Sequence, residues 1–195
     1  LLKQGIWAFG PDTLDVEKGA LWAVDPAGFH TGYISWESDP NKPANKLNEI
    51  MVPATDMPVD PNNLPDTGCA WDEQLQMSLV CITGSDAGTR CIWNSTSKGG
   101  VRAINGVLGE LVQVLGTGES DKIVPVIELL VDSYEHKRYG KVFVPVLEVK
   151  RWASLSETPA QTDAPEQEKE AEPEQEPEAP KAETKVRTRR RRRAA

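Results

Sequence analysis

The chain is short of the residues that catalysis and metal binding draw on. It has two histidines, His30 and His136, and three cysteines, Cys69, Cys81 and Cys91. Neither histidine falls in a nucleophile motif or a metal-ligand cluster, and the carboxylates show no paired helical spacing, so the pattern argues against an enzyme. The cysteines form no CxxC pair and stand apart from the histidines. That argues against a zinc site and a disulfide framework and leaves reduced, partly buried thiols as the expectation. No apolar run approaches the roughly 18 residues of a membrane span, and the N-terminus lacks the basic start, apolar core and small-residue cleavage site of a secretory signal. A soluble, intracellular protein with no membrane contact, no metal and no cofactor is expected. The chain opens on Leu1 rather than Met, so a start upstream of Leu1 is expected with it.

Charge of one sign is not lacking, but it is unevenly spread. The formal net charge of -8 taken alone argues against a nucleic-acid binder. Residues 1–153 hold 20 acidic and 13 basic side chains; residues 154–195 hold 10 acidic and 9 basic, with the acids in front of the bases. Local clustering therefore decides more than the total. Two units are expected, a domain over 1–153 and a tail over 154–195. Ser154 to Thr184 is Glu, Pro, Ala and Gln with almost no large apolar residue, a composition too poor in burial to order itself. It closes on Lys185, Arg187 and the run that includes Arg189, Arg190 and Arg191, an electrostatic arm for nucleic acid or another polyanion.

What is present, and organises the rest, is the stretch from Lys122 to Trp152. Two runs rich in β-branched residues, Ile123 to Val131 and Val142 to Val149, flank Tyr134, His136, Lys137, Arg138, Tyr139, Gly140 and Lys141. This predicts a β-hairpin with a basic, aromatic tip. Ile127, Leu129 and Val131 share one parity, as do Phe143, Leu147 and Val149, whereas Glu128, Glu148 and Lys150 fall on the other; one face is expected in a core and the other partly wet. Pro125 and Pro145 each remove a ladder donor and belong at strand starts, edges or bulges. Tyrosines that stack on bases, beside cations that neutralise phosphate, are the features of single-strand binding surfaces. The blander alternative is that the tyrosines cap the end of the fold and the charges keep the turn soluble.

Short β-like runs precede this hairpin at Gly5 to Phe9, Ala20 to Val24 and Thr31 to Trp36, with a turn at Asp25 to Gly28. Trp7, Trp22 and Phe29 belong to the core. Tyr33 and Trp36 differ in parity along one strand, so without a bulge one of them is exposed, and Trp36 is a candidate stacking residue. Glu37 to Asp66 reads as a long loop with at most an edge strand near Ile50 to Val52. Its DPNNLPD segment lacks the ligand pattern of a calcium loop. A second hairpin joins Gln74 to Ile82 with Thr89 to Asn94. Symmetric pairing about its Gly84 to Gly88 turn sets Cys81 opposite Cys91 and Leu79 opposite Trp93, and leaves Arg90 and Lys98 as accessible cations. Val101, Ile104, Leu108, Leu111 and Leu115 then recur at helical spacing, with Gly116 and Gly118 beyond the end. The preceding SKGG has the wrong order for a phosphate loop.

Strand, strand, helix, strand, strand after residue 70, with strands in front, predicts a mainly β domain built as an OB-fold-like antiparallel barrel with one helix between strands. A β-sandwich with a covering helix is the rival. The stretches LLKQGIWAFGPDTLDV, WDEQLQMSLVC, STSKGG and SYEHKRYGKVFVPVLEVKRW, the last with its YxHKxYGKxxxP pattern followed by Trp, resemble a family of small, largely uncharacterised bacteriophage and prophage proteins. The resemblance implies an accessory of phage DNA metabolism, a single-stranded DNA-binding protein acting in the cytoplasm of the bacterial host. The tail is similar to those of bacterial single-strand binding proteins in being acidic, yet ends in arginines instead of an acidic, hydrophobic tip.

The leading expectation is thus a non-enzymatic binder of single-stranded nucleic acid. Tyr134 and Tyr139 stack on bases; Lys137, Arg138, Lys141, Arg90 and Lys98 contact phosphates; His136 and Trp36 contribute at the margins; Arg189 to Arg193 assist. Replication or recombination proteins reached through the tail, and further copies of the chain, are the protein partners this leaves open. The other expectation is a phage protein-interaction or structural component that uses the hairpin as a docking surface and the tail as a tether.

Overall fold

A computed structural model describes residues 1–37, 44–118 and 121–157. Through these residues the chain is mainly β with one α-helix. The first strands, β1 (Leu2–Lys3), β2 (Ile6–Phe9) and β3 (Leu14–Asp15), form a small separate sheet in that order. Only β2 is legible in the sequence, because two-residue arms carry no period. Trp7 ties this small sheet to the main one: its ring stands edge-on to Trp93 at 5.0 Å, and its Nε1 donates to the Leu130 carbonyl at 2.9 Å.

The main sheet contains β4 (Leu21–Val24), β5 (His30–Trp36), β6 (Lys46–Pro53), β7 (Trp71–Cys81), β8 (Arg90–Ser95), β9 (Val124–His136) and β10 (Gly140–Ala153). All of its ladders are antiparallel. Leu79 of β7 pairs with Val24 and Cys91, and Leu75 pairs with Thr31 and Ser95. Strands β4 and β5 therefore lie on one side of β7 and β8 on the other. Together β4 and β5 act as a single long strand with an interruption. Across the gap Asp25 N donates to Ser78 O and Ser78 N donates to Gly28 O. A side chain on Gly28 would collide with Ser78, so the close approach requires glycine there.

Helix α1 (Lys98–Thr117) begins at Ser97, whose hydroxyl accepts from Gly100 N at 3.1 Å, and ends at Gly118 in the left-handed region. It buries Ile104, Val107 and Leu111 against Trp22, Val24, Met77, Leu79, Cys81 and Ile127. The expected apolar stripe is shifted slightly. Val107 belongs to it, Leu115 is exposed, and Gly116 lies inside the helix instead of beyond it. A smaller cluster of Ala23, Val124, Val126 and Ala153 lies apart from this core.

Two expectations need correction. The β7–β8 hairpin pairs Leu79 with Cys91 and Met77 with Trp93, two residues away from the symmetric register. The turn is held off-centre because Glu17 Oε2 accepts from both the backbone N and the hydroxyl of Ser85. A two-residue slip preserves every face, so the apolar side is still Leu75, Met77, Leu79, Cys81, Cys91 and Trp93. The sheets are also open, not a closed barrel: the ladder path runs β10-β9-β4-β7-β5-β6, and among the described residues nothing joins its ends or pairs β8 with β10. Pro145 sits in mid-strand on the outer edge of β10 and has no N–H to give. Loop 37–66, read as at most an edge strand, contains the eight-residue edge strand β6.

After β10, Ser154 is buried and one 3-10 turn covers Leu155–Glu157. The acidic and arginine-rich segments expected further on, Arg189, Arg190 and Arg191 among them, lie outside the described residues. Among the described residues no helix is long and apolar enough to cross a membrane.

Candidate functional site

The β9–β10 hairpin occupies the expected stretch, but its arms run on through most of the segment between Val131 and Val142 expected as the tip: pairing extends from Val124↔Ala153 to His136↔Gly140. Side chains directly opposite share a face. Ile127 with Val149 and Leu129 with Leu147 join the main core. On the other face Glu128 lies directly opposite Glu148, a like-charge pair that opposes pairing. A bulge at Lys150 resolves it, because the extra residue places its ammonium 2.9 Å from Glu128 and 2.7 Å from Glu148. The two carboxylates in turn raise the Lys150 pKa.

Lys137, Arg138 and Tyr139 form a three-residue loop closed by Gly140 at φ 68°. This is the geometry of a hairpin turn followed by a left-handed residue, which explains the glycine. His136 Nδ1 accepts from the backbone N of Arg138 at 3.2 Å and of Tyr139 at 3.3 Å. The histidine is thus a cap for the turn, and only the remainder of its ring is offered outward. It also stacks on Tyr139, with centroids 4.7 Å apart and planes 23° apart, and meets the edge of Tyr134 at 6.4 Å. The tyrosines are 52% and 66% exposed, so the rings cluster in water and do not cap a core. The Arg138 guanidinium lies 5.4 Å from the Tyr139 centroid and Lys141 Nζ lies 5.2 Å from that of Phe143. A base stacking on Tyr139 has to share that ring with His136 and Arg138, whereas Tyr134 has only the edge contact with His136. Glu135 is directly opposite Lys141 and Asp132 follows on the other face, so the local excess of positive charge is small.

The structure brings together Tyr134, His136, Arg138 and Tyr139, with Lys137 next to them in the loop; Lys141, opposite Glu135, projects from the other face of the hairpin over Phe143. It does not gather the other expected contacts into the same cluster. Arg90 opens β8 and lines an apolar cavity of about 370 Å³ with Trp7, Trp22 and Trp93. Lys98 opens α1, three residues past the other end of β8, and a strand of six residues separates these cations by roughly 20 Å. The segment that follows Lys98 runs against β10, since a Cβ on Gly99 would touch Val144 and Pro145.

Trp36 lies elsewhere. A register shift between Ser35 and Trp36 turns it out at the end of β5, 39% exposed, while Tyr33 is half-buried. It overhangs a second cavity of about 350 Å³ lined also by Lys46, Glu49, Gln74, Asn94 and Thr96. Sequence reading missed this group, as it missed Phe143 beneath Lys141. The residues come from β5, β6, β7 and the end of β8, and nothing local joins them. Here Lys46 Nζ bonds Glu49 Oε2 at 2.7 Å and Gln74 Nε2 donates to Glu49 Oε1 at 2.5 Å. The Lys46 bond, reinforced by Gln74, holds the Glu49 carboxyl below its ordinary value against the opposing effect of burial.

Among the described residues there is no group of three or more His, Cys, Asp or Glu side chains arranged to hold a metal ion. His30 is engaged with Gln76, whose Nε2 lies 3.4 Å from its Nδ1. Burial raises the thiols of Cys81 and Cys91 above the ordinary cysteine range, which disfavours the reactive thiolate. No family model, no curated protein and no solved structure matches the chain.

Proposed function

We propose that this protein binds single-stranded DNA through the tip of the β9–β10 hairpin, without catalysis, in the service of phage DNA replication or recombination. The observation that carries the reading is the solvent-facing ring cluster of Tyr134, His136 and Tyr139 with Arg138 and Lys137 at it, and Lys141 on the other face of the same tip. Exposed rings are costly to leave in water unless something covers them, and bases are flat partners that stack without regard to sequence. The phage setting rests on the sequence resemblance.

We read the domain as an OB-fold-like barrel left partly open. Such a Greek-key barrel needs a long first strand shared between the second and fourth, a second–third hairpin, a helix, and a fourth–fifth hairpin. Strand β4–β5 paired with both β7 and β9, the β7–β8 hairpin, α1 and the β9–β10 hairpin supply these parts in order. The tip is then the loop between the last two strands, one of the loops that such folds use for oligonucleotides.

The test is a salt titration of fluorescence-polarisation binding to single-stranded and duplex DNA of matched length, using the whole chain and its Tyr134→Ala/Tyr139→Ala double variant. The expected result is preference for the single strand and a loss of roughly 1–3 kcal/mol per tyrosine, more than any one lysine costs at moderate salt. An unweakened double variant would sink the stacking assignment. No binding at low salt would favour the reading as a protein-docking hairpin, whose two faces expose Phe143 on one and Val146 on the other.

A further inference from the structure

The cavity under Trp36 has a chemistry of its own. Gln74 is 3% exposed, and its amide nitrogen is fully used, by Glu49 Oε1 and by Met51 Sδ at 3.7 Å. An ionised carboxylate can only accept, so the nitrogen must face Glu49 and the amide oxygen is left as the free end. That oxygen accepts no hydrogen bond among the described residues, although Gln74 lines the cavity. Across from it, the Asn94 amide on β8 and the Thr96 hydroxyl just past its end likewise have no hydrogen-bond partner among the described residues. The cavity therefore combines an acceptor fixed in orientation, an amide able to donate, and an indole wall. Lys46 stands on its rim, bonded to Glu49 through one carboxylate oxygen. Its volume falls at the lower end of the range for small-ligand clefts, which suits one nucleobase with part of its sugar.

We propose that this cavity is a base-selective subsite for a nucleobase whose Watson–Crick edge sets an exocyclic amino group beside an unprotonated ring nitrogen, cytosine or adenine, with Trp36 stacked on the base and Lys46 beside the strand's phosphate. The amino group donates to the Gln74 oxygen, and the adjacent ring nitrogen accepts from the Asn94 amide. Thymine presents a carbonyl oxygen where the amino group would lie, setting two acceptors against each other. The inference rests on the reading of the protein as a single-strand binder and adds sequence preference to it. Stacking at the hairpin tip discriminates only modestly among bases, so a preference that depends on Asn94 must come from a site with fixed donors and acceptors.

The experiment compares oligo-dC with oligo-dT of equal length, binding to the whole chain and to its Asn94→Ala, Trp36→Ala and Tyr134→Ala/Tyr139→Ala variants. Asn94 and Trp36 are exposed, and circular dichroism establishes that each variant is folded. The expected outcome is roughly tenfold tighter binding of oligo-dC. Asn94→Ala should narrow that preference by weakening oligo-dC, the remainder being set by the Gln74 oxygen, and Trp36→Ala should weaken oligo-dC most. Equal affinity for the two oligomers, lost in the double tyrosine variant, overturns the subsite and keeps the single-strand reading. Absence of binding to either oligomer, with the chain folded, overturns both.

Discussion

The root and the tip of the β9–β10 hairpin are made by the same two strands and obey opposite rules. At the root, Val124 to Ile127 are fully buried, and β9 has β10 on one side and β4 on the other. At the tip, larger side chains, the rings of Tyr134, His136 and Tyr139, lie in water and contact mainly one another. The difference teaches where to look for function: apolar groups at the root are explained by the core they fill, and those at the tip are not explained by any core.

Substitutions along the hairpin should trace that gradient. Ile127→Ala removes a side chain with no exposed surface from the centre of the core and should destabilise the protein by about 2–5 kcal/mol in urea unfolding. A cost near zero would break the contrast at its buried end. Phe143→Ala sits midway, its ring against Gly5 on one side and partly open on the other, and should cost roughly 1–2 kcal/mol. His136→Ala removes the acceptor of two turn amides that water can partly replace, for about 0.5–1.5 kcal/mol by the same measurement. Its larger effect should be on the order of the tip, read as faster amide hydrogen exchange at Arg138 and Tyr139 with unchanged exchange at Ile127.

The smallest effect belongs to the Lys46–Glu49–Gln74 group at the other end of the sheet. A carboxyl depressed in the fold contributes stability above its unfolded value, and that contribution is lost as pH falls through the folded value. The wild-type advantage over Glu49→Gln should thus be present near neutral pH and fade as the pH drops below the ordinary glutamate value of 4.5. It should stay under about 1 kcal/mol, because both partners are partly exposed. An advantage that instead grew in acid would contradict the assigned direction.

How far the sequence could be read depended on whether the cause was local. The parity of Ile127, Leu129, Leu147 and Val149, the edge position of Pro145 and the exposed Tyr134 and Tyr139 were all legible, since alternation and turn chemistry act within a few residues. The off-centre β7–β8 turn was not, because its anchor is Glu17, 68 residues away from Ser85. Neither was the role of His136, because its Nδ1 caps the Arg138 and Tyr139 amides only in the folded turn. The Trp36 cavity needed a bulge and three other strands to exist at all. Openness of the sheet was equally hidden, for closure depends on pairing between strands far apart in the sequence.

The bulge at Lys150 also bears on how this hairpin can change over generations. One extra residue resets the alternation, so that Trp152 pairs with Pro125 and joins the core with Val149. Loss of that residue would turn Trp152 outward, whereas residues gained in matched pairs beyond the bulge, one in each arm, would move the tip farther out and leave the root in register. The reach of the hairpin is therefore free to evolve, and its footing is not.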